Sequence, residues 1–169
     1  AEKAGLELGI KGSIVVNDKM ETSAPDVYAV GDAVEIKHFV TGKKGLISLA
    51  GPANKQGRIA ADNICGGNSV FSGAQGSSVI KLFDMTAAAT GINEFTAKAA
   101  GIDWEAVILS PASHAGYYPG GKVMTMKVVY DKASLRLLGA QIVGFDGVDK
   151  RIDVLATAIR AGMKATELT

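Results

Sequence analysis

From Gly66 to Ser78 the chain runs through a stretch dominated by glycine, asparagine and serine, relieved mainly by Val70 and Phe71. Such a stretch suits neither a packed helix nor a buried strand, so the residues on either side must fold as separate pieces. At the usual ~100–200 residues per domain, 169 residues make one full domain or two small ones. The expected division is residues 1–75 and 76–169.

Before the division, Ile14–Val16 and Val27–Val30 read as short strands separated by the turn-rich Thr22–Asp26, where Pro25 keeps Ala24 out of helical angles. Val27–Val30 is continuously apolar, the pattern of a strand buried on both faces of an α/β sheet, and Gly31-Asp32 ends it. A helix is expected over Pro52–Ile64. Pro52 costs nothing in the first turn, Ile59, Ala60 and Ile64 form an apolar stripe, and Gly66-Gly67 suits a left-handed cap.

Beyond the division, Val79–Phe83, Thr86–Thr90, Ala106–Leu109, Val123–Tyr130 and Leu135–Phe145 read as strands, the last two joined by a tight turn at Asp131–Ser134. Asn93 is placed to cap a short helix that Gly101 ends. Val148, Ile152, Leu155, Ala156 and Ile159 recur at helical spacing up to Gly162. The order is ββαβββα, an antiparallel sheet with helices, hence α+β.

Composition removes several classes of function. Lys+Arg and Asp+Glu number 18 and 17, which leaves no electrostatic footprint for nucleic acid. No apolar run approaches the ~20 residues of a membrane span, and no basic start followed by an apolar core reads as a signal peptide. One cysteine makes neither an internal disulfide nor a multi-thiolate metal site, so no metal is expected and a cytoplasmic setting is the simplest. Glycine supplies 21 residues, and the mean hydropathy of +0.19 is high for so small a chain. Part of the surface is therefore expected to lie against a partner subunit or a cofactor.

The motifs are few. No G-x-G-x-x-G, C-x-x-C, H-E-x-x-H or G-x-S-x-G occurs, and Gly139 and Gly144 read as glycines within a strand. Cys65 follows a helix C-terminus, where the dipole opposes a thiolate; a small buried hydrophobe is the simpler reading. Gly31 lets backbone approach a ligand, and Asp32 offers a carboxylate able to accept hydrogen bonds from sugar hydroxyls, although an aspartate there is more often a turn former. LAGPANKQGR at Leu49–Arg58 opens a helix with small residues and places Lys55 and Arg58 three apart, on one side, for phosphate or for solvent. HAGYYPGG at His114–Gly121 sets two tyrosines on a glycine-proline loop, as an interface or stacking element or an ordinary turn with one ring packed down.

Taken together, these segments resemble one family. TSAPDVYAVGDAVE at Thr22–Glu35 is similar to the second flavin-binding motif of the pyridine nucleotide-disulfide oxidoreductases. LAGPANKQGR, HAGYYPGG and GVDKRIDVLATAI at Gly147–Ile159 resemble the branch holding coenzyme A-disulfide reductases, NADH oxidases and persulfide reductases. The resemblance implies that residues 1–75 are the tail of an α/β FAD-binding domain and residues 76–169 a C-terminal dimerisation domain. It implies FAD as cofactor, contacted by Gly31, Asp32, Ala33, Leu49 and Ala50, with Asp32 on the ribityl chain. Asn54, Lys55, Arg58 and Tyr117 fall at substrate-contacting positions, and Tyr118 is the accessory catalytic residue, reaching across a homodimer to orient or protonate a sulfur species.

The family's first flavin motif, NAD(P)H domain and redox cysteine have no counterpart in this chain, and Cys65 does not match that cysteine. The resemblance thus implies the last third of an enzyme in which NAD(P)H reduces FAD, FAD a cysteine centre, and that centre a coenzyme A disulfide or persulfide. The segment alone is expected to be inactive and not to retain FAD. Oxygen as acceptor, as in an NADH oxidase, and a stand-alone non-catalytic dimerisation module are the alternatives.

Overall fold

The structure is a computed structural model that describes residues 1–168, and the chain divides into two compact units, Ala1–Ala74 and Gln75–Thr169. In the first unit, β1 (Ile14–Val15) runs parallel to β2 (Val34–Lys37), and β2 pairs antiparallel with β3 (Lys44–Gly45). Against this small sheet stands α1 (Ala50–Ile64). Val16, Met20, Val34, Ile36, Ala60 and Phe71 form the core, with Ile59 and Tyr28 packed at its margin.

Three expectations for this unit are corrected. Val27–Val30 is not a buried strand: it meets Glu21 through one bridge at Tyr28, and Val27 and Val30 are exposed. Its backbone bonds fold it onto residues 20–24 instead, with Ala29 N donating to Met20 O and Thr22 N to Val27 O. The buried strand is the one after it, β2, whose mixed VEIK sequence hides its Glu35 by accepting the Ile10 N–H at 3.0 Å. Ile64 lies outside the helix stripe and is exposed; Gln56, Ala60 and Asn63 are the buried positions of α1. Cys65, at the helix end, is exposed rather than a buried hydrophobe. Gly66 does take the left-handed conformation, and Gly66 N and Gly67 N close the helix on Asn63 O and Asp62 O.

The second unit follows the expected order. β4 (Ser78–Leu82), β5 (Met85–Gly91), α2 (Glu94–Ala100), β6 (Trp104–Leu109), β7 (Met124–Asp131), β8 (Leu137–Gly144) and α3 (Val148–Ala161) build a five-stranded sheet of order β4-β5-β8-β7-β6, antiparallel throughout. Asn93 caps α2 by accepting the Thr96 N–H at 2.9 Å, and Gly101 and Gly162 end α2 and α3 in the left-handed region. The apolar stripe of α3, Val148, Ile152, Leu155 and Ile159, is buried against β5 and β8, where Ala88, Thr90, Ala140 and Ile142 share one face.

The opposite face is only partly covered, by α2 and the Lys127–Glu94 ion pair. By register, Ile80, Leu82, Met85, Val143 and Ile108 all point to that side, and each is exposed. Here lies much of the apolar surface that the hydropathy anticipates. Among the described residues no helix is long and apolar enough to cross a membrane.

Asp131 turns the β7–β8 hairpin by accepting both Ser134 Oγ (2.6 Å) and Ser134 N (2.7 Å), and these two bonds hold its carboxyl below the ordinary aspartate range. A lowered folded pKa means the contribution is present above the unfolded-chain value and fades as pH falls through the folded one. Asp131→Ala is therefore expected to be less stable than wild type at neutral pH, the gap closing in acid; thermal melts across pH measure it. A gap independent of pH would reject the assignment.

Candidate functional site

Gly31–Ala33 forms one turn of 3₁₀ helix ahead of β2, with Gly31 at φ +81°, a conformation glycine adopts without strain. Asp32 stands exposed on that turn. The turn lies on α1: a Cβ built on Gly31 would come 3.9 Å from the Ala53 Cβ, and Gly31 N donates to Gln56 Oε1 at 2.7 Å. Gln56 was absent from the residues singled out in the sequence. Its only signal there is a polar residue on the face where a helix should be apolar, four before Ala60.

The start of α1 is open. Leu49 occupies the N-cap and has no side-chain acceptor, and Pro52 brings no N–H. Among the described residues the N–H groups of Ala50 and Gly51 find no partner, so they remain for a group from outside. One turn on, exposed Asn54 donates from Nδ2 back to Ala50 O at 3.0 Å. Lys55 and Arg58 are exposed, and among the described residues neither pairs with an acid. Gly31, Asp32, Ala33, Leu49, Ala50, Asn54, Lys55 and Arg58 are thus gathered on one turn and the helix it touches.

Tyr117 and Tyr118 belong to the second unit, on the loop between β6 and β7. Tyr117 is 90% exposed and Tyr118 67%. The base of the loop is fixed, because Ser113 exchanges hydrogen bonds with Lys122 and its carbonyl takes Arg151 Nη2 from α3 at 2.8 Å. Tyr118 N donates to Ala115 O, and the His114 ring meets the Tyr118 ring edge-on at 5.9 Å. Neither tyrosine ring is packed down; both are presented.

The arrangement suits a flavin nucleotide on chemical grounds. A free carboxylate can accept from sugar-alcohol hydroxyls, unpaired helix amides can donate to carbonyl or phosphate oxygen, and a bare glycine leaves room beside them. Residues 77–169 match the pyridine nucleotide-disulphide oxidoreductase dimerisation domain, and residues 1–57 match the pyridine nucleotide-disulphide oxidoreductase model. The chain belongs to that family, and its antiparallel unit has the family's dimerisation fold.

Among its relatives, a coenzyme A disulfide reductase of Staphylococcus aureus is 36% identical over 169 residues, covering 99% of this chain and 38% of that protein. An NADH oxidase of Methanocaldococcus jannaschii is 39% identical over 168 residues, covering 99% and 37%. The solved structure of a NAD-dependent persulfide reductase from A. fulgidus superposes with a TM-score of 0.96 at 48% identity, covering 99% of this chain and 31% of that one. The chain spans little more than a third of the length of the curated relatives it matches.

Proposed function

We propose that this chain is the C-terminal part of an FAD-dependent NAD(P)H oxidoreductase that reduces coenzyme A disulfide or persulfide. In this reading residues 1–75 complete the FAD-binding domain and residues 76–169 are the dimerisation domain. The observation that carries it is the joining of the Asp32 turn to α1 through Gln56, beside Lys55 and Arg58, which pair with no acid among the described residues. FAD, when bound, supplies the redox chemistry. This chain's residues bind and orient. Asp32 accepts from the ribityl hydroxyls, Gly31 and Ala33 let the backbone come close, and Leu49 and Ala50 present the helix start.

Asn54, Lys55 and Arg58 would hold the coenzyme A moiety, the two cations meeting its phosphates, and Tyr117 is a substrate-contacting position by the family resemblance alone. Tyr118, exposed on its anchored loop, would place its hydroxyl against a sulfur species in the partner's site and give or hold a proton there. Over one turnover NAD(P)H, a proton and the disulfide become NAD(P)⁺ and two coenzyme A thiols. The apolar sheet face of Ile80, Leu82, Met85, Val143 and Ile108 is the surface a second copy would cover. A cytoplasmic location agrees with thiol chemistry in a reducing compartment.

The full-length protein is expected to release two thiols from coenzyme A disulfide for each NAD(P)H consumed. Oxygen uptake without thiol release would reject this reading in favour of an NADH oxidase, the function of the Methanocaldococcus relative. The chain by itself is expected to be inactive and colourless after gel filtration; a surviving flavin absorbance band would contradict that.

A further inference from the structure

Gln56 is only 1% exposed, yet it carries an amide into the packed side of α1. Burying an amide is costly unless it is bonded, and a leucine would fill the same volume without that demand. Its Oε1 is spent on Gly31 N–H at 2.7 Å. The Gly31 N–H is turned towards the helix, and among the described residues no strand takes it. Asp32 has no bond of its own among the described residues, so its carboxylate is placed by the hold on its neighbour. Gln56 stands five and six residues beyond Gly51 and Ala50 on one continuous helix, about 8–9 Å of rise.

We infer that Gln56 is a positioning residue for the flavin site. By clamping Gly31 to α1 it sets the separation between the Asp32 carboxylate and the open amides of Ala50 and Gly51, which approach the cofactor from two different elements. The inference rests on the assignment of those groups to FAD made above.

The test uses the full-length protein, stripped of flavin and reconstituted with FAD while the quenching of free FAD fluorescence is followed. Gln56→Leu is expected to weaken FAD binding about ten- to a hundredfold, the loss of one buried hydrogen bond together with the order it imposes. Gln56→Glu keeps an oxygen for the Gly31 N–H in either protonation state and is expected to stay within about threefold of wild type. On an Asp32→Ala background, Gln56→Leu should cost clearly less than it does alone, because the clamp then has no carboxylate to place. Full additivity would overturn the proposal by making Gln56 merely structural, and unchanged FAD affinity in Gln56→Leu would overturn it too.

Amide exchange of the peptide spanning Gly31 separates the two levels of the argument. It should quicken about tenfold or more in Gln56→Leu and stay slow in Gln56→Glu. Unaltered FAD affinity in Asp32→Ala, with that exchange pattern intact, would sink the assignment of Asp32 rather than the clamp. If Gln56→Leu does not accumulate, Gln56→Glu decides alone: a large loss of FAD affinity with Gly31 still protected counts against the inference.

Discussion

Gly139→Val is expected to destabilise the second unit by roughly 3 kcal/mol or more, read as a lowered urea midpoint. Gly139 on β8 faces Gly91 on β5, and a Cβ added to it would overlap the backbone carbonyl and amide of Ile92. That backbone cannot step aside. Ile92 N donates to Leu138 O at 3.0 Å, Ile92 is 1% exposed, and Gly91 holds a left-handed φ of +66° with its own Cβ position against Leu138 O. Two segments of backbone cross here with no room for a side chain on either. A loss below about 1 kcal/mol would mean that the crossing can open, and the account would fail.

Ile80→Asp is expected to dissolve the proposed dimer while leaving the sheet folded. Ile80 lies on the edge strand β4, on the face away from α3, and is exposed, so the substitution itself should cost the fold within about 1 kcal/mol. In a two-fold interface the charge would appear twice, each copy burying an aspartate against the apolar face of the other. Weakening of a hundredfold or more is the expected scale, measured by sedimentation at several concentrations. A variant as dimeric as wild type would move the interface off this face. A monomeric wild type would remove the second copy altogether.

The second unit was largely legible in the sequence because each of its elements carries its own local signal. Asn93 and Gly101 bracket α2, Asp131 marks the hairpin, and the α3 stripe repeats with the helical period. The first unit was less so. Val27–Val30 has the look of an interior strand, but tertiary context overrides propensity in short apolar runs, and its bonds go to residues 20–24. The real strand β2 contains Glu35 and Lys37, and its buried acid is tolerated only because Ile10 N–H reaches it from a segment distant in sequence. Gln56 failed to stand out for the same reason: a buried amide is explained by its partner, and Gly31 lies 25 positions away. Of the candidate site, residue type marked Asp32 and the start of α1 only as candidates and the family resemblance assigned them to FAD; the Gly31–Gln56 bond between them was not legible.

Gln75 bears on how the second unit could be cut out and studied alone. The family's dimerisation segment begins at residue 77, which invites a shortened chain starting there. Gln75, however, donates from Nε2 to Thr90 Oγ1 and to Ala156 O, both at 2.9 Å, and its backbone carbonyl takes Gly91 N–H. These bonds tie β5 to α3 from beneath and support the strand next to the crowded glycine crossing. An excised domain begun at residue 77 would leave Thr90, buried at 1% exposure, without its amide partner, whereas one begun at or before Gln75 keeps the seam closed.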